Sequence, residues 1–400
     1  MKVLMINSVC GIRSTGRICT DLAEVLEANG HECKIAYGRD FVPEKYQKYA
    51  VRIGNDLSVK IDGAKTRLLD NAGFNSKAAT KKFLKWVKEY DPDIIHLHNI
   101  HGYYINVELL FKFLKDFGKP VVWTLHDCWA YTGHCSYYTM ANCNKWQDKC
   151  EQCRHKKSYP QSLLLNRAKS NFAKKKQLFT SLDSLKLVTP SEWLAKEVRQ
   201  SCLSKFEVTA IPNGVDLEVF KPTNGDFRTK YNLEDKKIVL GVATAWGERK
   251  GMSNFAKLSQ FLPEKYKVVL VGMNEEQKAQ MPKEALVISR TNNVTELAEI
   301  YTAADVFLNL GTMETMGLTT VEAMACGTPV VTSNLTAVPE VVADDGGIIL
   351  ANLEIPTIAE GIESVLSKEY LNTRDNAKKY EKNKQFKEYL KLYENLVGEQ

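Results

Sequence analysis

The chain has 400 residues and a formal net charge of +6, too long for one ordinary core and suited to two α/β domains of roughly 200 residues each. Mild basicity fits a phosphate-bearing ligand and falls short of the dense cationic surface, interleaved with aromatics, that nucleic-acid binding needs. No stretch approaches the ~18–20 consecutive apolar residues of a membrane span, so the sequence predicts a cytoplasmic protein.

The opening MKVLMINSV carries a short apolar run, Val3–Ile6. Asn7 and Ser8 interrupt it, and Gly11, Arg13 and Arg17 follow, which predicts a buried first strand rather than a signal peptide. The next segment, Cys10–Arg17 (CGIRSTGR), lacks the G-x-G-x-x-G fingerprint of nicotinamide binding. Gly16 would let a backbone approach a phosphate, with Arg17 at the start of a helix; a plain turn is the alternative.

Between Lys77 and Tyr90 a helical pattern sets Lys77, Lys81, Lys85 and Lys88 on one face and Ala79, Phe83, Trp86, Val87 and Tyr90 on the other. It reads either as a solvated surface helix or as a basic face for an anionic membrane or a lipid-linked acceptor. The cluster Arg167, Lys169 and Lys174–Lys176 adds weight to the second reading. Asp91-Pro92-Asp93 precedes a strand and reads as a turn, not as a metal-binding D-x-D.

The strand Ile94–Leu97 runs into His98, Asn99 and His101, and the strand Val121–Leu125 into His126 and Asp127. His96 and His98 share a face by period two, so a metal-dependent hydrolase built on His96, His98, His126 and Asp127 is a rival reading of the chain. Five of the ten cysteines then crowd between Cys128 and Cys153. Cys135, Cys143, Cys150 and Cys153 offer four thiolates, the last two as C-x-x-C, which is the ligand number of a structural zinc site. His134 or His155 could replace one of them. Metal would stabilise a cysteine-rich loop, 128–160, that has little core of its own; four free thiols are the alternative.

Strands follow at Lys186–Thr189 and Val208–Ile211, and Pro212-Asn213-Gly214 breaks the pattern. A second series runs Ile238–Val242, Val268–Val271, Val306–Leu310 and Val330–Thr332. Short, near-continuous apolar strands alternating with helical patterns predict parallel sheets covered on both faces, and two series predict two doubly wound domains. The expected boundaries are 1–216 and 217–376. The tail 377–400 carries a stripe, Phe386, Leu390, Tyr393 and Leu396, that must be buried somewhere.

The second series holds the densest chemistry. Gly311–Pro329 reads GTMETMGLTTVEAMACGTP, a strand entering a glycine-containing loop and then a helix from about Thr319. Backbone N–H groups around Gly317 and Leu318 can receive a phosphate. Glu314 lies in the loop and Glu322 in the expected first turn, where a carboxylate can accept both hydroxyls of a ribose. Thr319-x-x-Glu322 also reads as a capping box. Upstream, ATAWGERKG (Ala243–Gly251) puts Arg249 and Lys250 beyond a strand end, where fixed cations could neutralise a departing diphosphate without a catalytic metal.

Together these segments resemble family 4 of the retaining glycosyltransferases, the group 1 glycosyl transferases. The resemblance rests on Glu314-x7-Glu322 with the following EAMACGTPVV, Lys250-Gly251, IPNGVDLEVF (211–220), TPSEWLA (189–195) and AADVFLNL (303–310). It implies a GT-B architecture, two Rossmann-like doubly wound domains facing each other across a cleft. It implies a nucleotide-sugar donor held by the second domain, a carbohydrate or lipid-linked saccharide acceptor held by the first, and retention at the anomeric carbon. The C-terminal helix would return to the first domain. The biology implied is cell-surface polysaccharide or glycoconjugate assembly, with peripheral association at the inner face of the membrane.

By that resemblance Glu322 would bind the ribose, Glu314 the transferred sugar, and Arg249 and Lys250 the diphosphate. His126 matches a histidine near the donor sugar, and His98 and Asn99 would line the acceptor side. Ser289–Val294 lies where such proteins hold the base. The family commonly places an arginine five residues before the lysine; here that position is Ala245, which leaves Arg249 to supply the charge.

Overall fold

The computed structural model describes residues 1–139, 142–342, 346–368 and 373–398. The chain divides into two compact units, Met1–Pro212 with Phe386–Gln400, and Asn213–Gln385. No helix among the described residues is long and apolar enough to cross a membrane.

The first unit is built on a seven-stranded sheet, β1 (Lys2–Asn7), β2 (Glu32–Tyr37), β3 (Ala50–Arg52), β4 (Ile94–Leu97), β5 (Val121–Thr124), β6 (Lys186–Thr189) and β7 (Val208–Ala210). Its order is β3-β2-β1-β4-β5-β6-β7, and every pairing is parallel. Val3–Ile6, Ile94–Leu97 and Val121–Thr124 are buried throughout, as strands covered on both faces must be. β2 and β3 escape an apolar-run search because Glu32 and Lys34 interrupt the one and the other is three residues at the sheet edge. Three helices open this unit: α1 (Arg13–Ala28), α2 (Asp56–Leu69) and α3 (Lys77–Tyr90). α3 presents the predicted faces, with Phe83 and Val87 buried and Lys77, Lys81, Lys85 and Lys88 exposed. Asp91 ends α3 and pairs with Lys119 at 3.1 Å, while Asp93 accepts from the Lys2 amide at 2.7 Å; the pair is structural.

The second unit holds a six-stranded sheet, β8 (Lys237–Val242), β9 (Tyr266–Val271), β10 (Leu286–Ile288), β11 (Val306–Asn309), β12 (Val330–Thr332) and β13 (Gly347–Ile349). The order is β10-β9-β8-β11-β12-β13, again wholly parallel. In both sheets the strand order reverses beside the first strand of the series, between β1 and β4 and between β8 and β11. Loops leaving the carboxyl ends of strands diverge at such a switch point, and ligands bind there in open α/β sheets.

The last helix, Lys382–Gly398, starts in the second unit and ends in the first. Phe386, Leu390, Tyr393 and Leu396 are all buried, which accounts for the stripe read from the sequence. Tyr389 hydroxyl meets Thr124 Oγ1 at 3.1 Å and Tyr393 hydroxyl meets His96 Nδ1 at 2.5 Å, so the helix completes the polar interior of the first unit.

Candidate active site

In the second unit the two predicted loops leave the adjacent strands β8 and β11, on either side of the switch point. They are laced together. The Thr312 amide donates to the Arg249 carbonyl at 2.9 Å, and Arg249 Nη1 donates to the Met313 carbonyl at 2.9 Å. Gly251 has φ +75°, and a Cβ there would lie 2.8 Å from Leu310 Cβ; both the turn and the close approach require glycine. Below the β11 loop, Asn309 Nδ2 donates to Thr320 Oγ1 at 2.9 Å and Ser333 Oγ to the Gly311 carbonyl at 2.7 Å.

Glu314 is 9% exposed. Lys250 Nζ donates directly to its Oε1, and Arg249 Nη1 lies 3.8 Å from the same oxygen. Two cations and one carboxylate thus meet beside the Leu318–Ala325 helix. Gly317 is the residue before that helix, with φ +95°, and no side chain caps it. Its first-turn N–H groups and the dipole favour an anion at that end. The helix starts one residue earlier than expected, which moves Glu322 from the first turn to the second. The capping-box reading therefore fails: Thr319 lies inside the helix, and Glu322 is too far along to reach back. Instead Glu322 is buried, 4% exposed, and Tyr301 hydroxyl donates to its Oε2 at 3.0 Å. Tyr301 has no motif around it; only its place on the helix Val294–Ala303 brings it there. Ser289 follows β10, and Asn293 caps the same Val294–Ala303 helix.

The first unit gathers histidines at its own switch point. His98 Nδ1 lies 2.9 Å from His126 Nε2, with the rings stacked. His101 Nε2 lies 2.8 Å from Asp127 Oδ2, and the Trp129 amide donates to Asp127 Oδ1 at 2.9 Å. The Asn99 amide donates to Asn7 Oδ1 at 3.2 Å. His98, Asn99, His101, His126 and Asp127 line a small cavity of about 10 Å³, and His98 Nε2 is buried there without a hydrogen-bond partner. Burial drives the imidazoles of His96 and His98 well below the ordinary histidine range and His126 down to about 4; all three are neutral at pH 7. Burial alone would raise Asp127, but His101 and the Trp129 amide outweigh it and hold the carboxyl low. The His101–Asp127 pair was not singled out in the sequence, although both residues follow strand ends.

The hydrolase reading does not survive. His96 spends one nitrogen on Thr124, at 2.7 Å, and the other on Tyr393, while His98 and His126 bond each other. No group of three His, Cys, Asp or Glu residues that could hold a metal ion occurs among the described residues. Gly16 and Arg17 are also placed differently from expectation. The helix α1 begins at Arg13, so Gly16 lies inside it, where a Cβ would come 3.0 Å from Val9 and 3.2 Å from the Gly11 amide nitrogen. That glycine serves helix-to-turn packing, and Arg17 sits one turn into the helix.

The cysteines Cys135, Cys143, Cys150 and Cys153 line one pocket of about 260 Å³ together with His134 and His155. Burial pushes the thiols of Cys135 and Cys150 up to about 12 and about 11, and raises Cys153. His134 is anchored from below by Asp70, at 2.5 Å. Residues 140–141 of this loop lie outside the described residues.

Comparison with known proteins supports the same assignment. Residues 15–219 match Glycosyltransferase Family 4, and residues 224–384 match Glycosyl transferases group 1. WcaC of Escherichia coli K12, named as a glycosyl transferase of colanic acid biosynthesis, is 25% identical over 336 residues, 76% of this chain and 77% of that protein. The sucrose-phosphate synthase of Thermosynechococcus elongatus superposes with a TM-score of 0.74 at 17% identity, over 100% of both chains. HepE of Anabaena, solved with UDP and glucose, superposes with a TM-score of 0.70 at 14% identity, over 99% of this chain and 100% of that one. Two wholly parallel doubly wound sheets, the loops at their switch points and matches that together span most of the sequence make this chain a member of glycosyltransferase family 4, group 1, with the GT-B fold.

Proposed function

We propose that the protein transfers a sugar from a nucleoside-diphosphate donor to a saccharide hydroxyl, with retention at the anomeric carbon, in cell-surface polysaccharide or glycoconjugate assembly. The observation that carries the donor half is the meeting of Arg249, Lys250 and Glu314 beside the uncapped helix end at Gly317. A diphosphate placed there competes with Glu314 for both cations and finds backbone N–H groups on its other side. Glu314, released, accepts hydrogen bonds from hydroxyls of the transferred sugar. Glu322 takes the ribose, and Ser289–Val294 lies toward the base.

In the transfer step the bond from the anomeric carbon to the diphosphate oxygen breaks, and its electron pair leaves with the nucleoside diphosphate. The acceptor oxygen bonds to the anomeric carbon on the same face, and its proton passes to an oxygen of the departing diphosphate. Arg249, Lys250 and the helix end stabilise the charge growing on the leaving group. In the first unit, neutral His126 contributes a ring nitrogen near the donor sugar, and His98 and Asn99 contribute to acceptor binding. Support for retention is family membership. Support for polysaccharide assembly is the likeness to WcaC. All ten cysteines are unbridged, which fits a reducing cytoplasm.

The cysteine pocket is proposed to hold one structural zinc. Soft thiolates are its natural ligands, and four cysteine thiols that could supply them on losing a proton line one cavity. In the present arrangement no three are close enough together to grip an ion, so binding would draw the loop inward.

The transfer reading is tested by thermal-shift titration with a panel of nucleoside diphosphates and their sugars. A true donor at a hundredfold its Kd adds about 2.7 kcal/mol of stability. A panel with no responder, and no release of nucleoside diphosphate from any sugar donor, overturns the reading.

A further inference from the structure

Helix α2 is inverted. A polar stripe faces the protein: Asp62, Thr66 and, just past the end of the helix, Asp70 are 2%, 0% and 2% exposed. Asp62 Oδ1 accepts from Thr66 Oγ1 at 3.2 Å and Asn75 Nδ2 at 3.0 Å, and Asp62 Oδ2 from Ser76 Oγ at 2.5 Å. The apolar side chains point outward. Leu57, Ile61 and Leu68 are 66%, 47% and 46% exposed, and with exposed Ala64 they follow each other at helical spacing along one stripe. A soluble helix normally buries that stripe.

A second apolar element lies against the end of α2. The Leu163 amide donates to the Arg67 carbonyl at 2.7 Å, which fixes the Leu163–Leu165 segment beside the helix. Leu163 and Leu164 are 51% and 66% exposed. The charges around these leucines are mainly positive. The stretch 154–176 contains eight lysines and arginines and no acidic residue; of these, Lys175 is buried and Lys169 lies 3.8 Å from Glu151. Lys156 Nζ donates to the Leu164 carbonyl at 3.0 Å, and on α2 itself Lys60, Lys65 and Arg67 are exposed. Of the two carboxylates on α2, Asp56 is paired with Arg52 and Asp62 is buried.

We infer that α2 and the Leu163–Leu165 segment form a docking surface for an anionic lipid bilayer, the leucines entering the boundary of the acyl chains and the flanking cations meeting the headgroups. Exposed apolar stripes rimmed by lysine and arginine are the signature of helices that lie in the bilayer interface, and each basic residue adds attraction to an anionic leaflet. The lysine face of α3 has the charge but no exposed large apolar residue; it supplements the surface and does not anchor it. The inference goes beyond sugar transfer and is measured without donor or acceptor, so the two stand or fall separately.

The test is flotation of the full chain with vesicles of phosphatidylcholine, with and without about one third phosphatidylglycerol. Wild type is expected to float with the anionic vesicles and to be released by about 0.5 M salt. The double substitution Leu57→Glu, Ile61→Glu should lower the vesicle-bound fraction about tenfold or more with an unchanged melting temperature. Lys81→Glu, Lys85→Glu should lower it by a smaller factor. Leu164→Glu, in a loop, repeats the test should the α2 variant fold poorly. The inference is overturned by wild type that stays unbound at low salt, or by glutamate variants that float like wild type. It is equally overturned if those substitutions turn a dimer into a monomer and leave flotation unchanged, because the stripe then belongs to a second copy of the chain.

Discussion

Lys250 and Glu314 hold each other in the ligand-free chain, so replacing either one changes what the other does. Lys250→Ala is expected to lower kcat about 10²–10³-fold, because its contact strengthens as negative charge develops on the leaving group. Glu314→Ala should depress turnover while leaving nucleoside diphosphate affinity intact or tighter, since two cations lose their internal partner. Glu322→Ala should instead weaken donor binding, a ribose contact being alike in ground and transition states. Steady-state kinetics beside titration of the nucleotide separates the three; a Glu322→Ala protein with normal donor affinity and a lowered Tm means the carboxylate only satisfies Tyr301. The neutral histidines predict a pH effect. An unfolded histidine titrates near 6.5 and folded His126 near 4, so between those values the unfolded chain binds the extra proton. Stability is therefore full above pH 6.5 and falls as pH drops toward 4, by about 3 kcal/mol for His126 alone. Thermal denaturation across that range checks it; a flat profile contradicts a buried neutral imidazole. At this scale the sequence was legible where residues sit close together in a motif. Glu314 and Glu322 are eight apart and could be read, whereas Tyr301 and the His101–Asp127 pair become partners only through helix and strand placement.

The elements follow the same division. Short apolar runs announced β1, β4, β5, β6, β7, β8, β9, β11 and β12 because strands buried on both faces tolerate little else. Three of the four edge strands, β3, β10 and β13, went unread; each is three residues long, and of the edge strands only β7, equally short, was expected, at Val208–Ile211. The lysine face of α3 was readable from its spacing, but the inversion of α2 was not, because a stripe of Leu57, Ile61 and Leu68 looks like any core-facing helix until its polar side is found buried. The cysteine loop carries the element-scale prediction. Elemental analysis of purified protein should find about one equivalent of zinc, and chelation should lower Tm, since metal binding supplies the folding free energy of such a loop. Less than about a tenth of an equivalent, with all four thiols open to titration, removes the zinc.

For the whole molecule, the two-domain plan was readable from two series of strands with a Pro-Gly break between them. Donor chemistry built on fixed cations predicts that transfer survives EDTA in a short assay, before the cysteine loop is affected; immediate loss and rescue by magnesium would point to a metal-dependent leaving group instead. The last helix has a further consequence, in the order in which the protein is made. The slot that Tyr389 and Tyr393 fill, over Thr124 and His96, belongs to the unit that leaves the ribosome first, yet its occupant is translated after the entire second unit. Until then His96 Nδ1 in the nascent first domain lacks the hydroxyl it meets in the finished chain, and the apolar seat of Phe386, Leu390 and Leu396 stands uncovered. Residues 1–212 expressed alone should therefore be poorly soluble and bound by chaperones, and supplying 382–400 in trans as a peptide should rescue them. Recovery of a stable, monodisperse 1–212 fragment without that peptide would show that the domain matures before its final helix arrives.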